Sequence, residues 1–397
     1  MASMGESARG TVPWVVVATV VGCGVVASLQ IGKAVIAAPM LKAEFELGLA
    51  AVGWVTGIFA VLGLVGGIPS GALVARIGDR RTLIQGLCAI MLGAGLGALS
   101  ETFAMFLASR VLEGFGFLLV VVAGPAVLQR LVLPKQRDVA FSLWSCFMPA
   151  GMALAMLAGP LFGDWRSIWW ASASLAVAFI VATIVAIRKS EAPTTSVRVS
   201  LVNDAIAVVG NRGPMLLALC FAFYSLMFFA LFSFLPVLLM ERMEVTHGTA
   251  GLLSALATAV NIIGNLLAGH LLFRGAGRST LIVSGSVAMG ISAIGIFLPL
   301  FGDTETFLLC LLFSAAGGLI PATLISSASV AAPSAALVPM VVGLLMQGSN
   351  LGQVVGPVAV GGVIDRFGWP SAAGIVVIAA LCAAICAAAL RRSFPHT

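Results

Sequence analysis

The feature that most constrains this chain is the length of its uncharged runs. From Trp169 to Ile187 no residue is acidic or basic, and comparable runs recur along all 397 residues. A helix rises about 1.5 Å per residue, so roughly 20 such residues span the ~30 Å hydrocarbon core of a bilayer. Only 9% of residues are charged, against roughly 25% in an ordinary soluble domain. A surface so poor in charge has lipid as its solvent. In lipid only helices or closed barrels satisfy their own backbone. A barrel would show stretches of about 10 residues with alternating polarity; these runs do not alternate, so they read as helices.

Twelve spans are expected, at 13–38, 49–75, 82–100, 103–132, 139–163, 166–188, 213–240, 249–273, 279–300, 304–331, 337–363 and 369–390. The stretch 189–212 contains Pro193, Thr194, Thr195, Ser196, Asn203 and Asn211 and reads as a polar linker. It separates a first six-helix bundle, 1–188, from a second, 213–397. The first run is read as a span and not as a cleaved leader. It is longer than a leader's apolar core, it contains Lys33, and it has a copy later in the chain.

Orientation follows from the 21 lysines and arginines. With the N-terminus inside, the inner connections hold fifteen, among them Arg76, Arg80, Arg81, Arg130, Lys135, Arg137, Arg274 and Arg278. The outer connections hold four, Lys42, Arg166, Arg242 and Arg366. Lys33 and Arg110 remain within spans. The positive-inside rule then places both termini in the cytoplasm, in an inner (plasma) membrane. The net charge of +6 is thus explained by topology, and no nucleic-acid partner is expected.

The halves are copies. Pro39 and Pro236 are 197 residues apart, as are Glu44 and Glu241, and the pairs Gly159-Pro160 and Gly356-Pro357. Gly71 and Gly269, Arg76 and Arg274, Arg80 and Arg278, and Thr82 and Thr280 are each 198 apart. Pro125 and Pro321 are 196 apart. Parallel halves of this kind place a solute site near mid-membrane, where they meet.

Three motifs give the chain a resemblance to the major facilitator superfamily. The first runs from Gly71 through Arg76, Gly78, Asp79, Arg80 and Arg81 between spans two and three, and is similar to that family's loop signature. The family's acidic position is Ala75 here, and Asp79 stands where a basic residue is usual. The resemblance implies an inner gate built on Gly71, Arg76, Gly78, Arg80 and Arg81, in which either Asp79 partly stands in for the missing acid or Arg76, Arg80 and Arg81 act alone. The second motif, Arg110 to Gly116, resembles the family's fourth-helix pattern. The third is the glycine-proline stretch Gly151 to Gly163, similar to an antiporter hinge but repeated in span eleven, and read first as packing. Within the superfamily, Gly32-Lys33, Pro39 and Arg110 to Val122 look most like the cyanate and nitroimidazole permease-like branch. The resemblance implies an all-α membrane fold of twelve helices in two bundles, with helices one, four, seven and ten lining a central cavity.

Lys33, Arg110 and Glu113 are the ionisable residues clearly inside spans. A charge at the bilayer centre costs about 2.5–3.5 kcal/mol on insertion scales, so such groups are rarely idle. Arg110 and Glu113, three apart, share a helix face and can pair. That pair is either a stabilising strut or a proton-coupling device in which protonated Glu113 frees Arg110 for an anion. Lys33, with Gln30 one turn before it, either snorkels to the outer interface or binds an anion in the cavity. Asn261 with Asn265, and Gln347 with Asn350 and Gln353, are spaced for interhelical hydrogen bonds or for solute contact. Tyr224, the only tyrosine, and Phe117 and Trp144 are candidates for the cavity wall.

The seven cysteines lie in apolar runs without a Cys-x-x-Cys pair and read as packing residues. No P-loop, zinc spacing or Gly-x-Ser-x-Gly elbow occurs. The chain is therefore expected to be no enzyme, to need no cofactor, and to work as a monomer in lipid. The expected function is secondary transport of a small anionic solute by alternating access with proton coupling. The alternative is proton-antiport export of drugs or metabolites.

Overall fold

The computed structural model describes residues 14–64, 66, 70, 74, 77–132, 140, 143, 144, 146–187, 201–334 and 337–391. Among the described residues there are helices and no strands. Each expected span has its helix. Span one is Trp14–Ile36 followed by Ala38–Glu44; span two is Leu49–Gly57 with a 3-10 turn at Ile58–Ala60. Spans three to six centre on Asp79–Ala98, Phe103–Leu131, Phe147–Ala158 and Trp165–Ala186. Span seven is Arg212–Phe232 followed by Leu235–Met243; spans eight to twelve are His247–Phe273, Arg278–Phe297, Asp303–Ala331, Val338–Phe367 and Pro370–Leu390. Among the described residues, nine helices are long and apolar enough to cross a membrane. Together the twelve spans form the two-bundle arrangement.

Spans one and seven are interrupted at matching places, Ala37 and Ser233-Phe234. Pro39 and Pro236 explain this. Proline lacks the N–H that the ladder needs and clashes with the preceding turn, but it suits the first turn of a new helix. One element departs from expectation: the stretch read as a polar linker contains a helix, Leu201–Val209. Its last five residues are all apolar, and Val208 is buried while Ile206 is exposed. A one-sided burial of this kind stabilises a helix that composition alone labels polar.

Packing within each half relies on small residues, because helices in lipid associate by close backbone approach. Gly151 faces Val25 and Ser28 of span one, and the Ser28 hydroxyl donates to the Phe147 carbonyl at 2.7 Å. Gly352 and Gly356 face span seven at Ala222 and Leu226 in the same manner. The glycine-proline stretches therefore act as helix contacts in both copies. Spans eight and ten cross closely: a Cβ on Gly264 would overlap the Ala315 carbonyl, and one on Gly318 the Asn261 carbonyl.

The two halves meet along span two against span eleven and span five against span eight. At one end of the molecule Lys42 pairs with Glu241 at 2.8 Å across the halves, and we call this the Asp365 end. At the other, the Asp79 end, the described polar contacts join spans of one half. Asp79 pairs with Arg130, Arg80 donates to the Ile184 carbonyl at 3.0 Å, and Arg391 donates to Thr280 at 3.3 Å.

The close crossing of spans eight and ten gives a test. Gly264→Val should destabilise the protein by about 1–3 kcal/mol, the usual range for overpacking. Gly374→Val, with open space around it, should leave the thermal unfolding of detergent-purified protein unchanged.

Candidate functional site

Four spans bring the candidate charges together. Thr102 caps span four by accepting from the Met105 N–H, which fixes the register of the helix that carries Arg110 and Glu113. Those two residues pair through Nη1 and Oε2. The other carboxylate oxygen, Oε1, accepts from Lys33 Nζ of span one at 2.7 Å. All three side chains have 0% exposure, so Glu113 is a single carboxylate held between two cations.

The surroundings complete the ammonium's coordination. Lys33 Nζ also donates to Ser172 Oγ of span six at 3.2 Å, and that hydroxyl donates to Gln30 Oε1 at 2.8 Å. Lys33 lies 4.4 Å from the centroid of the Trp169 ring. Such cation–π contact is worth about 2 kcal/mol where water is excluded. The reading of Lys33 as a snorkelling residue is thereby corrected. Its Nζ turns inward because a buried carboxylate, a hydroxyl and an indole face replace the water it would otherwise seek.

Arg110 reaches span two. Its Nε donates to the Val55 carbonyl at 3.1 Å, and its guanidinium carbon stands 4.8 Å from the Phe59 ring. Span two passes into its 3-10 turn just beyond Val55, and a carbonyl there has a second lone pair open to a side chain. Among the described residues, two buried donors near the cluster have no hydrogen-bond partner, Arg110 Nη2 and Trp169 Nε1. Unpaired buried donors carry a desolvation penalty, so these two favour an acceptor.

The other candidates fall into separate groups. Phe117 and Trp144 are buried and join an aromatic row with Phe59 and Phe147, with centroids 5.1 Å apart for Phe59–Phe117 and 4.6 Å for Trp144–Phe147. Tyr224 lies between Phe221 and Phe228 in the other half, with both rings tilted against it. Asn261 donates to the Ser314 carbonyl of span ten at 3.0 Å, and Asn265 donates back to Asn261. The first is an interhelical hydrogen bond, and the second lies within span eight. Asn350 is buried, donates to the Met346 carbonyl, and stands against Gly63 of span two; Gln347 is half-buried. The hydrogen bonds of Asn261, Asn265 and Asn350 run to partners outside the triad.

At the loop motif, Asp79 receives both Nε and Nη2 of Arg130 at 2.7 and 3.0 Å. The acid displaced from its usual position thus engages a basic residue at the end of span four. Arg81 is exposed, and Gly78 has φ +88°, the left-handed conformation that glycine adopts without strain. Gly71 and Arg76 lie outside the described residues. Sequence reasoning missed Ser172, Trp169 and the Val55 carbonyl. A serine in an apolar span is a weak signal, and a backbone carbonyl gives none.

Comparison with known proteins agrees with this architecture. The profile of the Major Facilitator Superfamily matches residues 20–337. The facilitated trehalose transporter Tret1 of Drosophila pseudoobscura pseudoobscura is 31% identical over 138 residues, 35% of this chain and 16% of that protein. Trehalose transporter 1 of Drosophila melanogaster matches to the same extent, 31% over 138 residues. The match therefore spans about a sixth of the length of these relatives. Among solved structures, a bacterial homolog of the human lysosomal transporter Spinster, inward-facing and occupied, superposes with TM-score 0.75 at 19% identity, covering 96% of this chain and 97% of that one. A variant of the nucleoside transporter NupG gives TM-score 0.73 at 15% identity, covering 97% and 100%. At such identities the likeness is one of fold.

Breaking the triad should cost more than neutralising one cation. Glu113→Ala leaves two buried cations facing each other and should destabilise by about 3–5 kcal/mol. Lys33→Met keeps the Arg110–Glu113 pair and should lower the thermal unfolding temperature by clearly less.

Proposed function

Because the chain belongs to the Major Facilitator Superfamily, whose profile covers residues 20 to 337, we propose that this membrane transporter carries a small anionic solute by alternating access, coupled to protons. The observation that carries the reading is the Lys33–Glu113–Arg110 triad, fully buried and with Arg110 Nη2 unpartnered. Two cations and one carboxylate leave one net positive charge in a medium where an unbalanced charge is costly. An anion of suitable size relieves that imbalance and accepts the free donor.

Glu113 is the coupling residue in this reading. Span one faces it with Lys33, its own span with Arg110, span six with Ser172 near Lys33, span two with Phe59 and the Val55 carbonyl near Arg110, and span three with Gly93. While Glu113 is ionised it occupies both cations. A proton on Glu113 removes that competition, so proton and anion bind together and each favours the other. Phe117 and Trp144 form an aromatic wall beside the path, Tyr224 lies opposite, and Gln347 and Asn350 supply neutral polar contacts from span eleven. The uptake of small anions agrees with the resemblance to the cyanate and nitroimidazole permease-like branch.

In the orientation favoured by basic-residue counts, the Asp79 end is cytoplasmic. The loop from Gly71 to Arg81 then forms the inner gate, with the Asp79–Arg130 pair as one of its contacts. A second reading, carriage of a neutral sugar, draws on the likeness to trehalose transporters and on the amide groups of span eleven. It gives the triad a structural role.

Reconstituted vesicles separate the readings. With an imposed proton gradient, wild-type protein should accumulate a small radiolabelled anion, drawn from a panel that also contains trehalose. Glu113→Gln should lose gradient-driven accumulation, by tenfold or more, while keeping solute exchange at equilibrium. Accumulation by Glu113→Gln at the wild-type level would remove the coupling role, and gradient-independent transport of trehalose alone would favour the second reading.

A further inference from the structure

Span two begins without a cap of its own. Its N-cap position is Gly48, which has no side chain to accept from the first helical N–H groups. The corresponding position in the second half, 198 residues on, is Thr246, and its hydroxyl accepts from the Thr249 N–H to cap span eight locally. The cap that span two lacks comes from the other half. Asp365, near the end of span eleven, accepts from the Leu49 N–H through Oδ1 and from the Ala50 N–H through Oδ2, both at 2.8 Å. A carboxylate on two free N–H groups at a helix start also meets the positive end of the helix dipole.

The interface below this cap is close. The Gly361 backbone lies on the Leu49 carbonyl, and Gly53 lies on Pro357. Thr56 donates to Ser233 Oγ across the halves at 3.2 Å. Farther along the same span, the Val55 carbonyl receives Arg110 Nε. One short helix therefore touches the opposite half at its start and the buried charges one to two turns later.

We propose that Asp365 is a positioning residue of the transport cycle. It latches the halves together at this end by capping span two across the interface, and span two links the latch to the charge triad through Arg110. Opening of this end withdraws the carboxylate and leaves the Leu49 and Ala50 N–H groups to water. The second copy keeps its own cap, so the device is confined to span two. The link to the triad rests on the coupling role given to Glu113; the latch itself does not.

The test is a distance measurement that needs no solute. Nitroxide labels at Ala43 and Glu244, on exposed positions of the two halves near this end, report opening by double electron–electron resonance in full-length protein freed of native cysteines. Asp365→Ala should shift the closed-to-open ratio roughly fivefold toward longer distances, the change that an N-cap of ordinary strength carries. Asp365→Asn, which can still accept from one N–H, should shift it less. A residue that only stabilises the fold would lower the unfolding temperature without lengthening the distance. An unchanged distance distribution in both Asp365 variants would overturn the latch. Glu113→Gln should move the same distribution with Asp365 intact, and a distribution identical to wild type would overturn the link through span two. Wild-type gradient-driven accumulation by Glu113→Gln, with an intact Asp365 effect, would instead count against the coupling reading alone.

Discussion

Glu113 sits between Lys33 and Arg110 with no water-exposed surface on any of the three, and the first half is arranged around that fact. A lone ion in such a place would be expelled or neutralised. Here three spans supply ions, hydroxyl and indole to one cluster, and a fourth supplies a carbonyl. The packing of spans one, two, four and six follows from the need to satisfy it. Ser172 must face Lys33, Trp169 must lie under the ammonium, and span two must present the Val55 carbonyl to Arg110.

Among the described residues, the second half has no such cluster. At the positions 197 residues beyond Lys33, Arg110 and Glu113 stand Ala230, Phe307 and Cys310, and Ala230 and Cys310 are buried among apolar side chains. There the helices are joined by close backbone contact and by neutral hydrogen bonds such as that from Asn261 to the Ser314 carbonyl. The duplication thus supplies a common scaffold, with proline breaks and glycine contacts in register. The electrostatic chemistry belongs to one copy. The same asymmetry recurs at the helix starts, where Thr246 caps its own span and Gly48 leaves the task to Asp365.

Much of the scaffold was legible because the rules that set it are local. A bilayer demands long uncharged helices, basic loops set an orientation, and Pro39 and Pro236 break helices wherever they stand. The Arg110–Glu113 pair was legible for the same reason, since three residues along a helix is one face. The helix at Leu201–Val209 was hidden because its turn signals and polar flanks outweighed a short apolar run that burial of Val208 makes useful.

By itself the sequence determined the twelve spans, their duplication, the family, and the identity of the residues that bear buried charge. Only the tertiary structure decided which partners those residues have. Lys33 could have reached the interface or the interior, and Asp365 could have capped nothing. Their partners are 80 and about 316 residues away along the chain, and no local pattern encodes contacts that depend on how helices cross. The long uncharged runs fix what crosses the membrane, while the crossings fix which charges meet.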